Sequence, residues 1–157
     1  MPDSIGGMGS MKISDVMDES RIDLKLKGKT KDEIIEEMVD LFDRSGVLCD
    51  REQFKKDVYF RESEGVTGMG DGLAIPHGKS KGVEKTCIAI GRSQTPIEWE
   101  SLDDKPIEVF VMMAVKDTDK SELVSLLSQI AIALCDENVT KKLFVTESPS
   151  EVIDLFK

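Results

Sequence analysis

Apolar and polar positions form blocks along the chain that predict strands and helices in alternation. Residues 22–26 read I-D-L-K-L, with the period of two that is typical of a half-buried strand. Residues 86–91 (T-C-I-A-I-G) predict a buried strand, and residues 107–115 (I-E-V-F-V-M-M-A-V) are almost continuously apolar. A continuous apolar run of that length indicates a central strand covered on both faces. Strands that alternate with helices predict an α/β domain with a central sheet flanked by helices.

The predicted helices begin at recognisable capping residues. Thr30 and Glu33 form a T-x-x-E capping box before the first helix, and Gly46 follows its end. Asp50 is the predicted N-cap of a second helix that ends near Arg61. Three further helices are predicted: residues 121–135, residues 139–145, and a last helix capped by Ser148 with Pro149 at its first position.

Length and hydropathy predict one cytoplasmic domain. A chain of 157 residues fits a single domain with a core of ordinary size. Residues 1–10 are rich in Gly and Ser without periodicity, so we interpret them as a tag remnant or a disordered start, and residues 11–157 as the domain. No apolar run approaches the roughly 18–20 residues that span a bilayer, and no secretory signal is evident.

The charge balance restricts the partners. The chain has 21 Lys and Arg against 31 Asp and Glu, a formal net charge of −10. This balance argues against nucleic acid or anionic membrane and suits a partner with a basic face. The three cysteines are far apart without a C-x-x-C pattern, and the chain has one histidine, so the sequence offers no set of metal ligands.

The candidate chemistry lies in residues 61–80, R-E-S-E-G-V-T-G-M-G-D-G-L-A-I-P-H-G-K-S, which contain that single histidine, His77. The five glycines of this stretch allow backbone N–H groups to converge on an anion such as phosphate. The short run Leu73 to Ile75 predicts a buried strand, and Pro76 favours an extended Ile75. We therefore expect His77 at the carboxyl end of a strand, where open α/β sheets bind ligands.

Two side chains in this stretch suit phosphoryl chemistry. A neutral imidazole is a nucleophile towards phosphorus, and its unperturbed pKa of about 6.5 keeps a neutral fraction available. The alternative is a histidine that only caps a turn. Arg61, which the second helix brings to the edge of the glycine-rich loop, is predicted to bind phosphoryl oxygens by charge-assisted bonds. Its alternative is a solvated surface arginine.

The same residues resemble a known signature. Residues 67–80, with the core G-x-G-x-A-x-P-H from Gly70 to His77, are similar to the phosphorylation site of enzyme IIA components of the bacterial phosphoenolpyruvate-dependent sugar phosphotransferase system, fructose/mannitol type (EIIA type 2). The resemblance extends over roughly residues 11–156. It implies a three-layer α/β/α domain with a mixed sheet, and a phosphotransferase with a phosphohistidine intermediate.

The resemblance also implies partners and roles. His77 would accept a phosphoryl group from the carrier protein HPr and pass it to a cysteine of a IIB protein or domain during fructose/mannitol-type sugar uptake. Arg61 would supply positive charge, and no metal or nucleotide cofactor is required. Hydrogen-bond donors for the phosphoryl group are expected from four further residues: Thr67, Gly68, Gly70 and Gly72.

One position departs from the family pattern. Many members carry a second histidine at the start of the long helix after the central strand, where this chain has Glu122 preceded by Ser121. A carboxylate next to His77 would raise the pKa of the imidazole and hold its N–H, but would repel an incoming phosphoryl group. This departure favours an alternative function, a regulatory nitrogen-type EIIA whose phosphorylation state controls protein partners. A non-covalent anion-binding module is a third interpretation.

Overall fold

A computed structural model describes residues 11–157, so the predicted tag remnant or disordered start at residues 1–10 lies outside the described residues. Within residues 11–157, six strands form one mixed sheet: β1 (Ile22–Leu26), β2 (Gly68–Gly70), β3 (Leu73–Ala74), β4 (His77–Ser80), β5 (Cys87–Ile97) and β6 (Ile107–Lys116). The strand order is β1-β5-β6-β3-β2, and β4 also pairs with β6. β6 is parallel to β3 and β4 but antiparallel to β5, whereas β1 is parallel to β5.

The described part of the chain has five α-helices: α1 (Lys31–Arg44), α2 (Arg51–Glu64), α3 (Lys120–Leu134), α4 (Glu137–Val145) and α5 (Pro149–Leu155). Two short 3-10 turns, Ile13–Val16 and Glu19–Arg21, precede β1. Three of the predicted caps are confirmed, since the side chains of Thr30, Asp50 and Ser148 each accept the backbone N–H three residues later. A helix start that satisfies an otherwise unpaired N–H is favoured by about 1 kcal/mol.

The sheet lies between helices, which confirms the predicted fold class. Helices α1 and α2 pack against each other, α1 against β5 and α2 against β4, while α3 and α4 contact β6. The central position of β6 explains its nearly continuous apolar sequence, because its residues from Val109 to Val115 are buried. The predicted strand over residues 107–115 is therefore confirmed.

The α1–α2 pair is held by an aromatic contact and an ion-pair cluster. The rings of Phe42 and Phe54 meet edge to face, with centroids 5.5 Å apart, and both side chains are fully buried. At the start of α2, Arg51 forms ion pairs with Glu36 and Asp40 of α1. These contacts fix the direction of α2, whose last turn carries Arg61 to the site.

No single helix in residues 11–157 is long and apolar enough to cross a membrane. Helices α3 and α4 meet the length and composition criteria only as a pair, with a bend of 88° between them.

Candidate active site around His77

His77 follows an interruption at Ile75 and Pro76 between two successive strands, β3 and β4. β3 and β4 are both parallel to β6 and keep the same register against it, so that His77 is opposite Met113. His77 is therefore the first residue of β4, and the prediction that it stands at the carboxyl end of a strand is wrong. The physical reason is that proline has no N–H for the ladder, which stops β3 but allows pairing to resume one residue later.

The His77 ring is buried, with 7% of the residue exposed, and its Nδ1 lies 3.0 Å from the carbonyl oxygen of Ile75. A carbonyl oxygen only accepts hydrogen bonds, so Nδ1 carries the proton. The neutral ring then has its lone pair on Nε2. Among residues 11–157, no protein group is hydrogen-bonded to Nε2. The geometry thus leaves Nε2 as the nucleophilic nitrogen.

The pKa of His77 lies below its ordinary value of 6.5. Burial is the main cause, because it disfavours the charged imidazolium. The hydrogen bond to Ile75 raises the pKa, the positive charge of Arg61 lowers it, and the negative charge of Glu62 raises it, but burial prevails. The ring is therefore neutral at pH 7 and able to act as a nucleophile.

Arg61 lies in the last turn of α2, at the edge of the glycine-rich stretch as predicted. Its Nη1 donates a hydrogen bond of 3.2 Å to the carbonyl oxygen of Gly65. Since its charge acts on the pKa of His77, the guanidinium belongs to the electrostatic environment of that ring. A cation that disfavours imidazolium also favours a phosphoryl group bound to the same ring.

Thr67 belongs to a buried polar group next to the site. Its hydroxyl donates a 2.6 Å hydrogen bond to Oε2 of Glu62 and accepts one of 3.1 Å from Nε1 of Trp99. Trp99 is 6% exposed and lies in the core. The Glu62 carboxylate is paired with Lys31 at 2.8 Å. Neither Glu62 nor Lys31 was predicted to be a site residue.

The glycines of the signature form a tight hairpin. Asp71 and Gly72 have φ values of 57° and 80°, the left-handed pair that a type I′ turn requires between β2 and β3. Gly70, before this turn, pairs with Leu73. A Cβ on Gly68 would lie 2.5 Å from the carbonyl oxygen of Glu100, so glycine permits a close backbone approach there.

Two of the four predicted phosphate donors, Thr67 and Gly68, are engaged within the protein. The Gly68 N–H donates to the carbonyl oxygen of Glu100 at 3.1 Å, and the Thr67 hydroxyl to Glu62. The role of Thr67, Gly68, Gly70 and Gly72 as phosphate donors stays a prediction. For Thr67 and Gly68 it requires that the group exchange its present partner for a phosphoryl oxygen.

Glu122 has a different partner from the one considered in the sequence analysis. Its buried carboxylate accepts the backbone N–H of Met11 at 2.7 Å, and the exposed Ser121 precedes it at the start of α3. The His77 ring is held by Ile75 instead, and its pKa is lowered rather than raised. Glu122 thus does not hold the imidazole in this structure.

Apolar side chains are exposed along the stretch that carries the site. Phe60, Val66 and Met69 are 64%, 43% and 36% exposed, respectively. Met69 is therefore available at the surface, whereas Leu73 is buried. Within the described residues, no group of three or more His, Cys, Asp or Glu side chains is arranged to hold a metal ion.

A neutral histidine near an arginine in an α/β domain is the arrangement expected of a phosphoryl carrier. The model of the family described as "Phosphoenolpyruvate-dependent sugar phosphotransferase system, EIIA 2" matches residues 15–157, and the chain belongs to this family. It is accordingly a phosphotransferase with a phosphohistidine intermediate, which relays phosphoryl groups in the phosphotransferase system. This confirms the resemblance found in the sequence.

Two relatives are named for fructose. The fructose-specific EIIABC component of Bacillus subtilis is 36% identical over 145 residues, which cover 92% of this chain and 23% of that protein. The fructose-specific EIIA component of Haloferax volcanii is 33% identical over 143 residues, covering 91% of this chain and 93% of that protein. The chain thus spans less than a quarter of the first relative but nearly all of the second.

Two solved structures share the fold. Nitrogen regulatory protein IIA-Ntr from Neisseria meningitidis superposes with a TM-score of 0.81 at 26% identity, over 92% of this chain and 99% of that one. The Escherichia coli complex of enzyme IIA-mannitol with phosphorylated IIB-mannitol gives a TM-score of 0.76 at 24% identity, over 89% of this chain and 96% of that one. At 24% identity, the second likeness shows the fold alone.

Proposed function

We propose that His77 is the residue phosphorylated in the relay and that Nε2 is the accepting nitrogen. The observation that carries this proposal is the hydrogen bond from Nδ1 to the carbonyl oxygen of Ile75, which puts the lone pair on Nε2. His77 is also the single histidine of the chain. Its lowered pKa keeps the ring neutral, so no proton has to leave Nε2 before it attacks phosphorus.

The donor in this proposal is the phosphohistidine of HPr. The Nε2 lone pair forms a new N–P bond while the N–P bond of the donor breaks and its electrons return to the donor imidazole. The positive charge that develops on the His77 ring is stabilised by Ile75, whose carbonyl oxygen accepts the Nδ1 proton. Arg61 neutralises charge on the phosphoryl oxygens. A cysteine thiolate of IIB then attacks phosphorus and releases the neutral ring.

The proposed partners are HPr and a IIB protein or domain, which meet the same face in turn. Exposed Phe60, Val66 and Met69 lie along the stretch that carries Arg61 and His77, and provide apolar contact area for a transient complex. In the mannitol system of Escherichia coli, IIA forms a complex with phosphorylated IIB. Such an exchange takes place in the cytoplasm, where we place the protein.

We propose fructose-type sugar uptake as the pathway that the relay serves. Both relatives above are named fructose-specific, and each is more than 30% identical to this chain. Regulation is the second candidate function. The close superposition on nitrogen regulatory protein IIA-Ntr and the glutamate at position 122 favour it. Transfer of phosphate from the protein to a purified fructose-type IIB would support uptake, whereas phosphorylation without such transfer would support regulation.

Intact-mass analysis tests the relay itself. The protein is incubated with phosphoenolpyruvate, enzyme I and HPr, beside a His77→Ala variant. We expect an acid-labile gain of one phosphoryl group in the wild-type protein and none in the variant. If active phospho-HPr leaves the wild-type mass unchanged, or if the variant gains the same group, His77 is not the acceptor.

A further inference from the structure

A continuous chain of polar contacts runs from the first residue of α1 to the His77 ring. Lys31 Nζ lies 2.8 Å from Oε1 of Glu62, whose Oε2 accepts the Thr67 hydroxyl at 2.6 Å. The carbonyl oxygen of Thr67 accepts the N–H of Ile75 at 3.0 Å. The carbonyl oxygen of Ile75 in turn accepts Nδ1–H of His77 at 3.0 Å.

We propose that Lys31, Glu62 and Thr67 are positioning residues that act through the backbone of residues 67 and 75 to hold the His77 ring with Nδ1 protonated. This inference rests on the proposed role of His77 as the phosphoryl acceptor. It gives Thr67 a role through the backbone that is separate from the predicted contact with phosphate. It also adds Lys31 and Glu62, which are not hydrogen-bonded to the ring, and gives this charged pair a function beyond stability.

The middle of this chain of polar contacts, at Glu62 and Thr67, is fixed in one arrangement. The Glu62 side chain is only 5% exposed, and a buried carboxylate requires a counter-ion and hydrogen-bond donors. Lys31 supplies the charge and Thr67 supplies the O–H. Because the indole N–H of Trp99 can only donate, it occupies a lone pair of the Thr67 oxygen and leaves the hydroxyl proton for Glu62.

Lys31 is itself immobilised. Its ammonium group pairs with Glu100 at 2.6 Å as well as with Glu62, and it lies 4.8 Å from the ring centroid of Trp99. Burial lowers the pKa of Lys31, but the hydrogen bonds to Glu100 and Glu62 outweigh this effect and raise the pKa above its ordinary value. The ammonium therefore remains charged and holds Glu62 in place at neutral pH.

This chain of polar contacts matters for phosphoryl transfer because it fixes the position of the Ile75 carbonyl oxygen. With Thr67 held on two sides, its backbone holds the N–H of Ile75, and the Ile75 carbonyl keeps its direction towards Nδ1. If this carbonyl moved away, the proton would be free to occupy Nε2, and the tautomer that cannot accept a phosphoryl group at Nε2 would gain population. Small displacements of a reacting group reduce rates by roughly 10- to 100-fold.

The test uses three substitutions that separate geometry from charge. Thr67→Val keeps the side-chain shape but removes the hydroxyl, Thr67→Ser restores the hydroxyl, and Glu62→Gln removes the charge at nearly constant shape. Two readouts are measured. The first is the tautomer and pKa of His77 from nitrogen-15 spectra of the unphosphorylated protein, in which His77 is the single histidine of the chain. The second is the rate of phosphorylation by phospho-HPr at saturation, with its KM.

We expect Thr67→Val to increase the fraction of the Nε2–H tautomer and to lower the saturated rate roughly 10-fold, with KM unchanged within about twofold. Thr67→Ser should restore both values. Glu62→Gln should lower the pKa of His77 below the wild-type value, because a neighbouring negative charge is lost, and should also slow transfer.

Matched controls come from elsewhere in the fold. Thr86 is buried and donates a 2.7 Å hydrogen bond to Asp119, and Glu36 pairs with Arg51 and Lys55. Thr86→Val and Glu36→Gln should leave the tautomer and the rate of His77 unchanged. The proposal is overturned if Thr67→Val leaves both readouts within twofold of wild type, or if the controls change them equally.

The two hypotheses fail in different ways. If the wild-type protein is not phosphorylated but Thr67→Val changes the tautomer, the relay is wrong while the positioning chain stands. If the relay operates and the tautomer is the same in every variant, the positioning chain is wrong.

Discussion

Nδ1 of His77 donates a hydrogen bond to the carbonyl oxygen of Ile75 at 3.0 Å, across a single proline. Pro76 cannot donate to the ladder and disfavours a helical conformation at Ile75, so the chain stays extended on both sides of it. The ring therefore folds back onto a backbone atom of its own segment. A local sequence, I-P-H, thus places the carbonyl oxygen of Ile75 next to Nδ1, in the tautomer that leaves Nε2 nucleophilic.

The first prediction concerns pH. Because the pKa of His77 is lowered, the rate of phosphorylation should reach its plateau at a lower pH than expected for an ordinary histidine, and should fall as the ring protonates below that plateau. The free energy of unfolding also depends on the protonation of His77. The unfolded ring binds its proton more strongly than the folded one, so the free energy of unfolding should decrease as pH falls from about 6.5 through the folded pKa.

Proton NMR of the single histidine measures this pKa directly, and rapid-quench kinetics measures the rate. The His77→Gln variant is the control for stability, and it should lose the pH dependence in this window. Arg61→Met should raise the pKa of His77, since a repelling positive charge is removed, and yet should slow phosphorylation. A His77 pKa at or above 6.5 in the wild-type protein would contradict the electrostatic account.

Local patterns in the sequence predicted most of the secondary structure. The capping side chains at Thr30, Asp50 and Ser148 and the apolar run from Ile107 to Val115 each carry their own short-range signal, and all four are found in the structure. These features depend on neighbours within a few residues, which a sequence shows directly. The position of Arg61 in the last turn of α2 follows from the same helix.

The contacts beside the site that the sequence did not predict join residues far apart in the chain. Glu62 joins Lys31, 31 residues earlier, and Trp99 reaches Thr67, 32 residues earlier. Nothing in the local pattern shows that these side chains meet. The sequence does contain one related observation. Glu62 lies next to Arg61 at the end of a weakly amphipathic helix, and a glutamate at such a position is rarely buried, as its side chain is here.

The glycine signature was interpreted first as a phosphate loop, whereas the structure gives two of its members conformational reasons. Asp71 and Gly72 are both left-handed, which is the requirement of a two-residue hairpin. The D-G pair between short apolar runs is a signal for such a turn. That signal was available in the sequence, but the density of glycines favoured an anion-binding interpretation.

The second prediction ranks three glycine-to-alanine variants by stability. Gly68→Ala should lose about 3 kcal/mol, because its Cβ would lie 2.5 Å from the backbone oxygen of Glu100 and the strands must separate. Gly72→Ala should lose about 1–2 kcal/mol from its left-handed φ of 80°, since the nearby Phe144 ring at 3.1 Å is able to rotate.

Gly65→Ala is the matched control for this series. No atom lies within 4 Å of its added Cβ and its φ of 161° is extended, so the change should stay within about 0.5 kcal/mol. Urea denaturation of the three variants measures the order. If Gly68→Ala is as stable as Gly65→Ala, the close approach at Glu100 does not limit this position.

The third prediction concerns the exposed apolar side chains beside the site. Phe60 is 64% exposed and next in sequence to Arg61, so Phe60→Ser should remove contact area from the partner without creating a cavity in the fold. We expect KM for phospho-HPr to rise about tenfold, equivalent to about 1.4 kcal/mol, while the saturated rate and the free energy of unfolding stay close to wild type.

Ile132→Ser is the control, because Ile132 is 73% exposed but lies on α3 in a depression formed with Ile13 and Phe156. It should leave KM unchanged. Equal KM values for the two variants would mean that HPr approaches His77 without using the end of α2, and the search for its docking face would move to the exposed side of the β2–β3 hairpin.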